Sequence, residues 1–287
     1  MGLKIETWNI AYRKRCKGLF NKLAPFTVIN NDHRGWYADP FLFDYKDDTY
    51  LFTEYFSYKL NRGVISYSKY DDEKKNFAPF KRIIVEDFHL SYPIVFWYND
   101  KIYMMPETSG ANALFLYEAV NFPNEWKRLP AVMKDVKLVD TTPIVLDNKL
   151  YALTFRLHED NHSLGDLLLL EYVNNEFKIS SQGILCQDMS TSRPGGNFIH
   201  NDNKLFRISQ DCYNDYGKAI NIIKLTKDFI NKYDESLIEK IMPGDIKLTK
   251  KLYADGIHTY NVSNDFEVVD LKFYRNSFVR LLYRVFK

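Results

Sequence analysis

The sequence is poor in glycine and cysteine and has no long apolar run. Only 12 of its 287 residues are glycine, and no phosphate-binding P-loop, GxGxxG or GxSxG motif is present. The three cysteines, Cys16, Cys186 and Cys212, are widely spaced and form no CxxC pair. This excludes a disulfide framework and a zinc site built from cysteines alone. No run approaches the roughly 18 apolar residues that a bilayer-spanning helix requires.

Charge of one sign is also lacking. The chain has 39 basic and 37 acidic residues, for a formal net charge of +2. Bulk electrostatics therefore gives no indication of nucleic-acid binding. The N-terminal 18 residues contain no apolar core of a secretory signal, so we expect a cytoplasmic, reducing location.

Aromatic residues are abundant instead. The chain has 21 tyrosines, 21 phenylalanines and 4 tryptophans. Aromatic side chains favour the pleated, half-buried surfaces of β-sheets, and their rings also stack well on flat ligands. Composition alone leaves both explanations open.

An internal repeat of roughly 50 residues settles the fold class. The stretch that begins at Pro40 has counterparts at Pro93, Pro143 and Gly196, and a weaker fifth unit begins near Gly256. Each unit predicts two strands joined by a turn rich in Asp and Asn, then a third strand and an outer strand. Four-stranded units at this spacing are typical of β-propellers. We predict one all-β domain over residues 1–287, a five-bladed propeller with blades starting near 38, 91, 140, 193 and 256. Four and six blades are the alternatives.

Two segments lie outside the repeat. The polar stretch between units four and five predicts a short helical insertion near 234–241, and residues 4–10 could supply a closing strand. The C-terminal segment 273–287 places Arg280, Arg284 and Lys287 among large apolar residues. Such a basic amphipathic segment can lie on an anionic membrane surface. Packing against the propeller with the basic groups pointing outwards is the alternative.

The repeat alignment also predicts where a site would form, because equivalent positions of successive blades converge on the propeller axis. Asp39, Tyr92, Thr142 and Gly195 precede the starts of the units, and Glu54, Glu107, Phe155 and Gln210 close the second strands. Folding alone gives no reason for charged and apolar residues to alternate at such positions. The polar exceptions are therefore candidates for function.

Among these candidates, Asp39, Asp140 and Glu107 are predicted as catalytic carboxyl groups. Carboxyl groups facing one pocket suit general acid and base chemistry on an acetal, with one ionised and another protonated. Turn-starting and loop-capping roles are the structural alternatives. The predicted substrate-binding residues are polar or aromatic and lie near the blade entries, namely His89, Tyr92, Arg193, Arg207, Gln210, Asp211 and His258. Trp36, Tyr37 and Tyr92 are the expected sugar-stacking rings. Metal ligation by His89, His258, Asp39 and Asp140 is conceivable, but these residues have no HxH or HxxxH spacing. We expect no metal or other cofactor.

An ordered series of motifs resembles a known family. The series comprises Ala38-Asp-Pro-Phe41, Phe88-His-Leu-Ser-Tyr-Pro93, Tyr103-Met-Met-Pro-Glu107, Asn121-Phe-Pro-Asn-Glu-Trp126, Asp140-Thr-Thr-Pro143, Arg193-Pro-Gly-Gly196 and Ser209-Gln-Asp-Cys212. It is similar to the N-terminal domain of glucosamine inositolphosphorylceramide transferases, over about residues 8–270. Bacterial relatives of that domain often occur among surface-polysaccharide genes.

The family resemblance implies a fold like that of the arabinanase, levansucrase and invertase propellers. Those enzymes use an Asp-Pro aspartate in blade one, an aspartate in blade three and a glutamate from a later blade. Asp39 matches the first role and Asp140 the second. Blade four opens with Arg193-Pro-Gly-Gly and no glutamate, so Glu107 or Asp211 would have to substitute.

Three functions follow as hypotheses. The first is a carbohydrate-active enzyme of surface-glycan assembly, a glycosyltransferase or glycoside-hydrolase-like protein acting on a nucleotide-linked or lipid-linked sugar. The second is a glycan-binding propeller without catalysis, favoured by the missing glutamate of blade four. The third is a scaffold that meets the inner membrane face through 273–287 and recruits a partner transferase. The oligomeric state and the sugar stay open.

Overall fold

The protein is a five-bladed β-propeller, as the repeat predicts. The computed structural model describes residues 4–77, 79–158, 160 and 164–276, and of residues 4, 5, 275 and 276 only the backbone. Helix is confined, within these residues, to two single turns, Ser109–Ala111 and Pro243–Asp245. Neither turn is long or apolar enough to pass through a bilayer.

Each blade is an antiparallel sheet whose first strand lies innermost. Blade one comprises Gly35–Tyr45, Asp48–Ser57, Arg62–Asp71 and Lys81–Ile84, with Asn76–Phe77 also paired to its third strand. Blade two comprises Ser91–Tyr98, Lys101–Glu107, Tyr117–Asn121 and Glu125–Arg128. Blade three comprises Leu138–Leu146, Lys149–Leu157, Gly165–Val173 and Glu176–Cys186. Blade four comprises Ile199–Asn201, Lys204–Asp211, Ala219–Leu225 and Glu235–Ile241. Blade five comprises Tyr260–Val262, Phe266–Asn276, Lys4–Lys14 and Thr27–Val28.

The turns between the first and second strands form where the sequence predicts them. Lys46, Asp100, Asn148 and Asn203 occupy these turns with φ between 55° and 60°. Asn and Asp tolerate this left-handed backbone better than other residues with a side chain. The turns therefore fix the register of the four hairpins.

Blade five closes the ring with strands from both ends of the described chain. Lys4–Lys14 pairs antiparallel with Phe266–Asn276 along its whole length, with Lys4 opposite Asn276. This confirms the predicted closing strand. A buried ion pair strengthens the seam, because Arg13 Nε donates to Glu267 Oε2 at 2.8 Å.

Aromatic residues fill the wedges between neighbouring sheets. Phe41 of blade one packs edge-on against Tyr92 of blade two, with ring centroids 4.6 Å apart. Tyr70 of blade one meets Phe266 of blade five at 4.4 Å. Much of the aromatic composition is therefore architectural.

The predicted helix near 234–241 is wrong, because Glu235–Ile241 is the outer strand of blade four. It pairs with Ala219–Leu225, whose outer backbone groups would otherwise lack partners. Charged side chains hold both of its ends to the second strand. Arg207 pairs with Glu235 at 2.6 Å, and Lys240 pairs with Asp211.

Two further features complete the comparison with the sequence. The third strand of blade two starts only at Tyr117, because the preceding Ala113–Leu114 pairs separately with Met133–Lys134. Of the predicted C-terminal segment 273–287, the first four residues end the second strand of blade five. Residues 277–287 lie outside the described residues.

Candidate functional site

The first strands of blades one to three each carry a bulge at the same place. The register with the second strand shifts between Ala38 and Phe41, and again at the equivalent points of blades two and three. The bulges put Asp39, Tyr92 and Asp140 in the left-handed region, with φ of 48°, 49° and 50°. A bulge re-aims a side chain and is common beside active sites. The equivalent of Asp39 in blade three is therefore Asp140, not Thr142 as the sequence alignment predicts.

Asp39 is part of a buried charge cluster at the axis. His258 lies between two carboxylates, with Nε2 3.1 Å from Asp39 Oδ1 and Nδ1 2.7 Å from Asp270 Oδ2. Thr259 Oγ1 donates to Asp39 Oδ1 at 3.0 Å, and the backbone N–H of Tyr92 donates to Asp39 Oδ2 at 3.0 Å. Both carboxylate oxygens of Asp39 are therefore engaged, and the residue is only 4% exposed.

The proton states in this cluster follow from its charges. Burial tends to lower the pKa of His258, but attraction by Asp270 and Asp39 outweighs it and raises the pKa well above its usual value. Burial tends to raise the pKa of Asp39, but the His258 imidazolium outweighs it and the net shift is downward. At neutral pH the cluster therefore holds an imidazolium between carboxylates.

These three residues are also the group that could hold a metal ion among the residues that the structure describes. Asp39, His258 and Asp270 each offer one ligand atom within 4.8 Å of the others. However, metal ligation requires a neutral imidazole with a free lone pair. The two carboxylates face different nitrogens of the ring, Asp39 at Nε2 and Asp270 at Nδ1, so an ion bound at one nitrogen would have one of the two carboxylates on its side.

Asp140 is clamped by residues of blade four. Its Oδ2 accepts hydrogen bonds from Arg193 Nε and, at 2.9 Å, from Gln210 Nε2. Burial raises the pKa of Asp140, the Arg193 cation opposes this, and the net shift is upward. The arginine that opens blade four thus compensates the buried carboxyl of blade three.

Glu107 is the more accessible carboxyl group of the site. It closes the second strand of blade two, and Ser109 Oγ donates to its Oε1 at 2.7 Å. Burial, reinforced by the negative charge of Asp140, raises the pKa of Glu107 to about 7. A carboxyl group with this pKa can both give and take a proton at neutral pH.

Glu54 is a further carboxyl group that sequence reasoning did not select. It pairs with Ala38 as Glu107 pairs with Ser91, so the two glutamates are equivalent in blades one and two. Burial and then the Asp39 charge raise the pKa of Glu54 well above its usual value. Its Oε1 is buried and has no hydrogen-bond partner among the described residues. The repeat alignment contained this signal, since it places Glu54 and Glu107 at the same position.

His89 lies beside Glu54, as a predicted binding residue should. Its Nδ1 accepts a hydrogen bond from the backbone N–H of Gly63 at 3.0 Å, which leaves the proton of the neutral ring on Nε2. Nε2 is 3.4 Å from Glu54 Oε1. Burial lowers the pKa of His89, so the neutral form is favoured.

The rings expected to stack on sugars are mostly engaged with protein. Tyr92 has no exposed surface, and its hydroxyl lies 2.9 Å from Thr142 Oγ1. Tyr92 therefore positions Asp39 instead of contacting a ligand. Trp36 stacks on Phe56 at 4.8 Å, and Tyr37 stacks on Phe80 at 4.3 Å.

Two predicted binding residues point away from the others. Arg207 is buried and forms its ion pair with Glu235, and Asp211 is paired with Lys240. Both pairs tie the second strand of blade four to the outer strand. The structure thus brings together Asp39, Glu107, Asp140, His89, Arg193, Gln210 and His258, but not Arg207 or Asp211. Sequence reasoning missed Asp270 and Thr259, which lie in the weaker fifth unit of the repeat.

The arrangement offers carboxyl groups in opposite proton states around one axis. Asp39 is held ionised, whereas Glu54 and Glu107 retain protons towards neutral pH. Paired carboxyl groups with pKa values shifted apart are what acid-base cleavage of an acetal requires.

Comparison with known proteins gives a family match over most of the chain. The family model described as "Glucosamine inositolphosphorylceramide transferase 1, N-terminal" matches residues 27–264. The curated glucosamine inositolphosphorylceramide transferase 1 of Arabidopsis thaliana is 35% identical over 197 residues, which are 66% of this chain and 25% of that protein. The protein of the same name from Oryza sativa subsp. indica is 33% identical over 207 residues, or 69% of this chain and 27% of that protein. The chain thus spans about a quarter of the length of these relatives.

Solved structures show the same fold at low sequence identity. The catalytic domain of a family 62 alpha-L-arabinofuranosidase from Coprinopsis cinerea has a TM-score of 0.62 at 11% identity, covering 92% of this chain and 97% of that one. An alpha-L-arabinofuranosidase from Podospora anserina, solved with cellotriose, has a TM-score of 0.61 at 13% identity, covering 84% and 83%. At such identities the likeness shows the fold alone.

Proposed function

Because the chain belongs to the family of the N-terminal domain of glucosamine inositolphosphorylceramide transferase 1, we propose that it is carbohydrate-active. Its axial pocket would bind a sugar and make or break a glycosidic bond. The observation that carries this proposal is the pairing of an ionised Asp39 with a Glu107 whose pKa is about 7. The names of the relatives and the propeller fold support it.

In the proposed reaction, Glu107 is the proton donor. Its proton moves to the glycosidic oxygen as the bond from that oxygen to the anomeric carbon breaks. A sugar hydroxyl or water then attacks the anomeric carbon and returns a proton to Glu107. General acid catalysis of this kind contributes about 10²–10⁴-fold to the rate.

Asp39 would act as a fixed negative charge. The sequence suggests a base or nucleophile, but Thr259, His258 and the Tyr92 backbone already engage its oxygens. A buried carboxylate held in this way stabilises the positive charge that develops at the anomeric carbon. Asp140, clamped by Arg193 and Gln210, would position the sugar.

The substrate is proposed to be a nucleotide-linked or lipid-linked sugar of surface-glycan assembly. The test incubates the protein with a panel of both kinds and detects transfer or hydrolysis by mass spectrometry. Glu107→Gln should reduce turnover at least about 100-fold. Glu118→Gln is the matched control, because that partly exposed carboxylate lies on the third strand of the same blade and forms a salt bridge with Lys101. Equal turnover by the wild type and Glu107→Gln would overturn the proposal.

The second candidate is a glycan-binding propeller without catalysis. The full engagement of Asp39 favours it, as does the arginine in place of a glutamate at the start of blade four. Saturable binding of a sugar that yields no product after long incubation would support binding over catalysis. A membrane scaffold built on 273–287 stays a prediction.

A further inference from the structure

Three exposed tyrosines lie in blades four and five, and the first of them contacts the charge cluster. Tyr216 is 37% exposed, Tyr274 41% and Tyr253 80%. We call these three residues the tyrosine strip. Single exposed aromatic residues are common on proteins, so the exposure alone has no functional meaning. The contacts that link these tyrosines to the charge cluster and to each other suggest a function.

Tyr216 forms the inner end of the strip. Its ring centroid lies 5.2 Å from that of His258, in the charge cluster. The guanidinium carbon of Arg193, which clamps Asp140, lies 4.9 Å from the Tyr216 ring. A sugar leaving the axial pocket on this side would meet Tyr216 first.

Asp215 and the fully buried Lys272 connect Tyr216 to Tyr274. Lys272 Nζ donates to the backbone carbonyl of Tyr216 and, at 2.6 Å, to Asp215 Oδ2. The Tyr274 hydroxyl donates to the same carboxylate oxygen at 3.5 Å. Tyr216 and Tyr274 are therefore neighbours on a surface anchored by a buried cation.

Asp255 connects Tyr274 to the outer end of the strip. Its Oδ2 accepts a hydrogen bond from the backbone N–H of Tyr274 at 2.9 Å, and its own N–H donates to the carbonyl of Lys272. Tyr253 lies two residues before Asp255. Asp215 and Asp255 therefore both bind Tyr274, and Tyr253 stands nearby along the chain.

We propose that the tyrosine strip binds the further sugar units of an oligosaccharide whose terminal sugar occupies the axial pocket. Sugar rings offer apolar C–H faces that pack on aromatic rings, and a rim of hydroxyls that donate to carboxylates. This inference rests on the proposed function and adds that the ligand is a glycan chain. Lys272, the cation beside Tyr216 and Tyr274, is buried and paired, and the carboxylates of Asp215 and Asp255 are the acceptors bound to Tyr274.

The test measures affinity against chain length by isothermal titration calorimetry. The probes are glucosamine and its β-1,4-linked oligosaccharides of two to six units, with arabinose and α-1,5-linked arabino-oligosaccharides of equal length. In the wild type we expect affinity for one series to rise at least about tenfold from the single sugar to the longest chain. The double variant Tyr253→Ala/Tyr274→Ala should lose that gain and keep the affinity for the single sugar.

Trp97→Ala is the matched control, because Trp97 is 48% exposed near the opposite end of the first strand of blade two. It should bind all chain lengths as the wild type does. Binding of single sugars without a gain for longer chains, or a gain that the double variant retains, would overturn the strip alone. Failure of every sugar to bind would count against the proposed function as well. Loss of binding to phosphatidylglycerol vesicles in the double variant, with oligosaccharide binding unchanged, would assign the tyrosines to a membrane instead.

Discussion

The site depends on single carboxyl groups whose surroundings set opposite proton states. Glu107 and Asp39 are both largely removed from water, yet the pKa of Glu107 is raised to about 7 and that of Asp39 is lowered. Burial raises the pKa of both groups. The negative charge of Asp140 raises the pKa of Glu107 further, whereas the positive charge of His258 lowers the pKa of Asp39. Substituting a partner should therefore change the site as much as substituting the carboxyl group itself.

The raised pKa of Glu107 predicts a cost in stability. An unfolded glutamic acid loses its proton near pH 4.3, whereas native Glu107 keeps it to about pH 7. Between these values the native state binds more protons than the unfolded state, so its stability falls as the pH rises. Glu107→Gln should remove this fall and melt at a higher temperature than the wild type at pH 7.5. The test measures the melting temperatures of the wild type, Glu107→Gln and the control Glu118→Gln at pH 4.5 and pH 7.5. An equal change in melting temperature between the two pH values in all three proteins would contradict the prediction.

His258 is predicted to be essential for stability as well as for the site. His258→Gln leaves the buried carboxylates of Asp39 and Asp270 facing each other without a cation. Breaking a buried ion pair costs about 3–5 kcal/mol in the free energy of unfolding. Urea unfolding at pH 7 should show this loss, and adding Asp270→Asn should restore part of it. A loss below about 1 kcal/mol, similar to that of the exposed control His33→Gln, would show that His258 is not an imidazolium.

At this scale the sequence predicts the residues that recur with the repeat and misses the others. Asp39, Asp140 and Glu107 stand at or beside blade-equivalent positions, and the structure brings them together. Asp270 lies in mid-strand and contacts His258 within the hairpin that Tyr260–Val262 forms with Phe266–Asn276. The repeat is weakest in this fifth unit, and sequence reasoning did not select Asp270. Arg207 and Asp211 look like site residues in sequence, but their partners Glu235 and Lys240 lie on a strand that sequence reasoning assigned as a helix.

Among the elements, the third strand of blade one is placed by a glycine. A methyl group at Gly63 would lie 2.5 Å from Glu54 Oε1 and closer still to the backbone carbonyl oxygen of Leu90. Gly63→Ala should therefore displace the segment that carries His89 and lower the stability by about 1–3 kcal/mol. Gly244→Ala is the control, since nothing lies within 4 Å of a methyl group there. Equal unfolding midpoints for the two variants would contradict this placement of His89.

Element type is predictable for inner strands and uncertain for outer ones. Here the inner strands are those with a paired strand on both sides. Their sequences are nearly continuous apolar runs, as in Gly165–Val173, the third strand of blade three. The outer strand Glu235–Ile241 leaves Leu237 and Ile238 exposed, and charged side chains near its two ends form its ion pairs with the second strand. Its sequence therefore lacks the alternation that identifies a half-buried strand. The tertiary requirement for a fourth strand decides its conformation.

At the scale of the whole molecule, the closure of blade five predicts which rearrangements the fold tolerates. Removing residues 1–14 strips the third strand from blade five and exposes the edge of Phe266–Asn276. We expect this variant to aggregate. A circular permutant should fold, because Lys4 lies opposite Asn276 and a two-residue Asn-Gly turn can join them as a hairpin. New ends would be placed between Asp147 and Asn148, in an exposed turn.

Circular dichroism and gel filtration distinguish the two designs. The permutant should give the same β spectrum and the same elution volume as the wild type, and it should unfold in one cooperative transition. A soluble, cooperatively melting deletion variant would contradict the role of the closing strand. An unfolded permutant beside a folded wild type would contradict the adjacency of the two strand ends.

The meeting of Lys4 and Asn276 also constrains how such a propeller can be built into a longer polypeptide. Both strand ends lie at the end of blade five where Asp255 binds Tyr274, the same end at which Asp39 and His258 stand. Any module joined before Lys4 or after Asn276 would therefore start on the face of the ring that carries this charge cluster. If that module acted on the ligand proposed for the cluster, the two sites would face a shared space, in which an intermediate released by one could be captured by the other before it diffuses away.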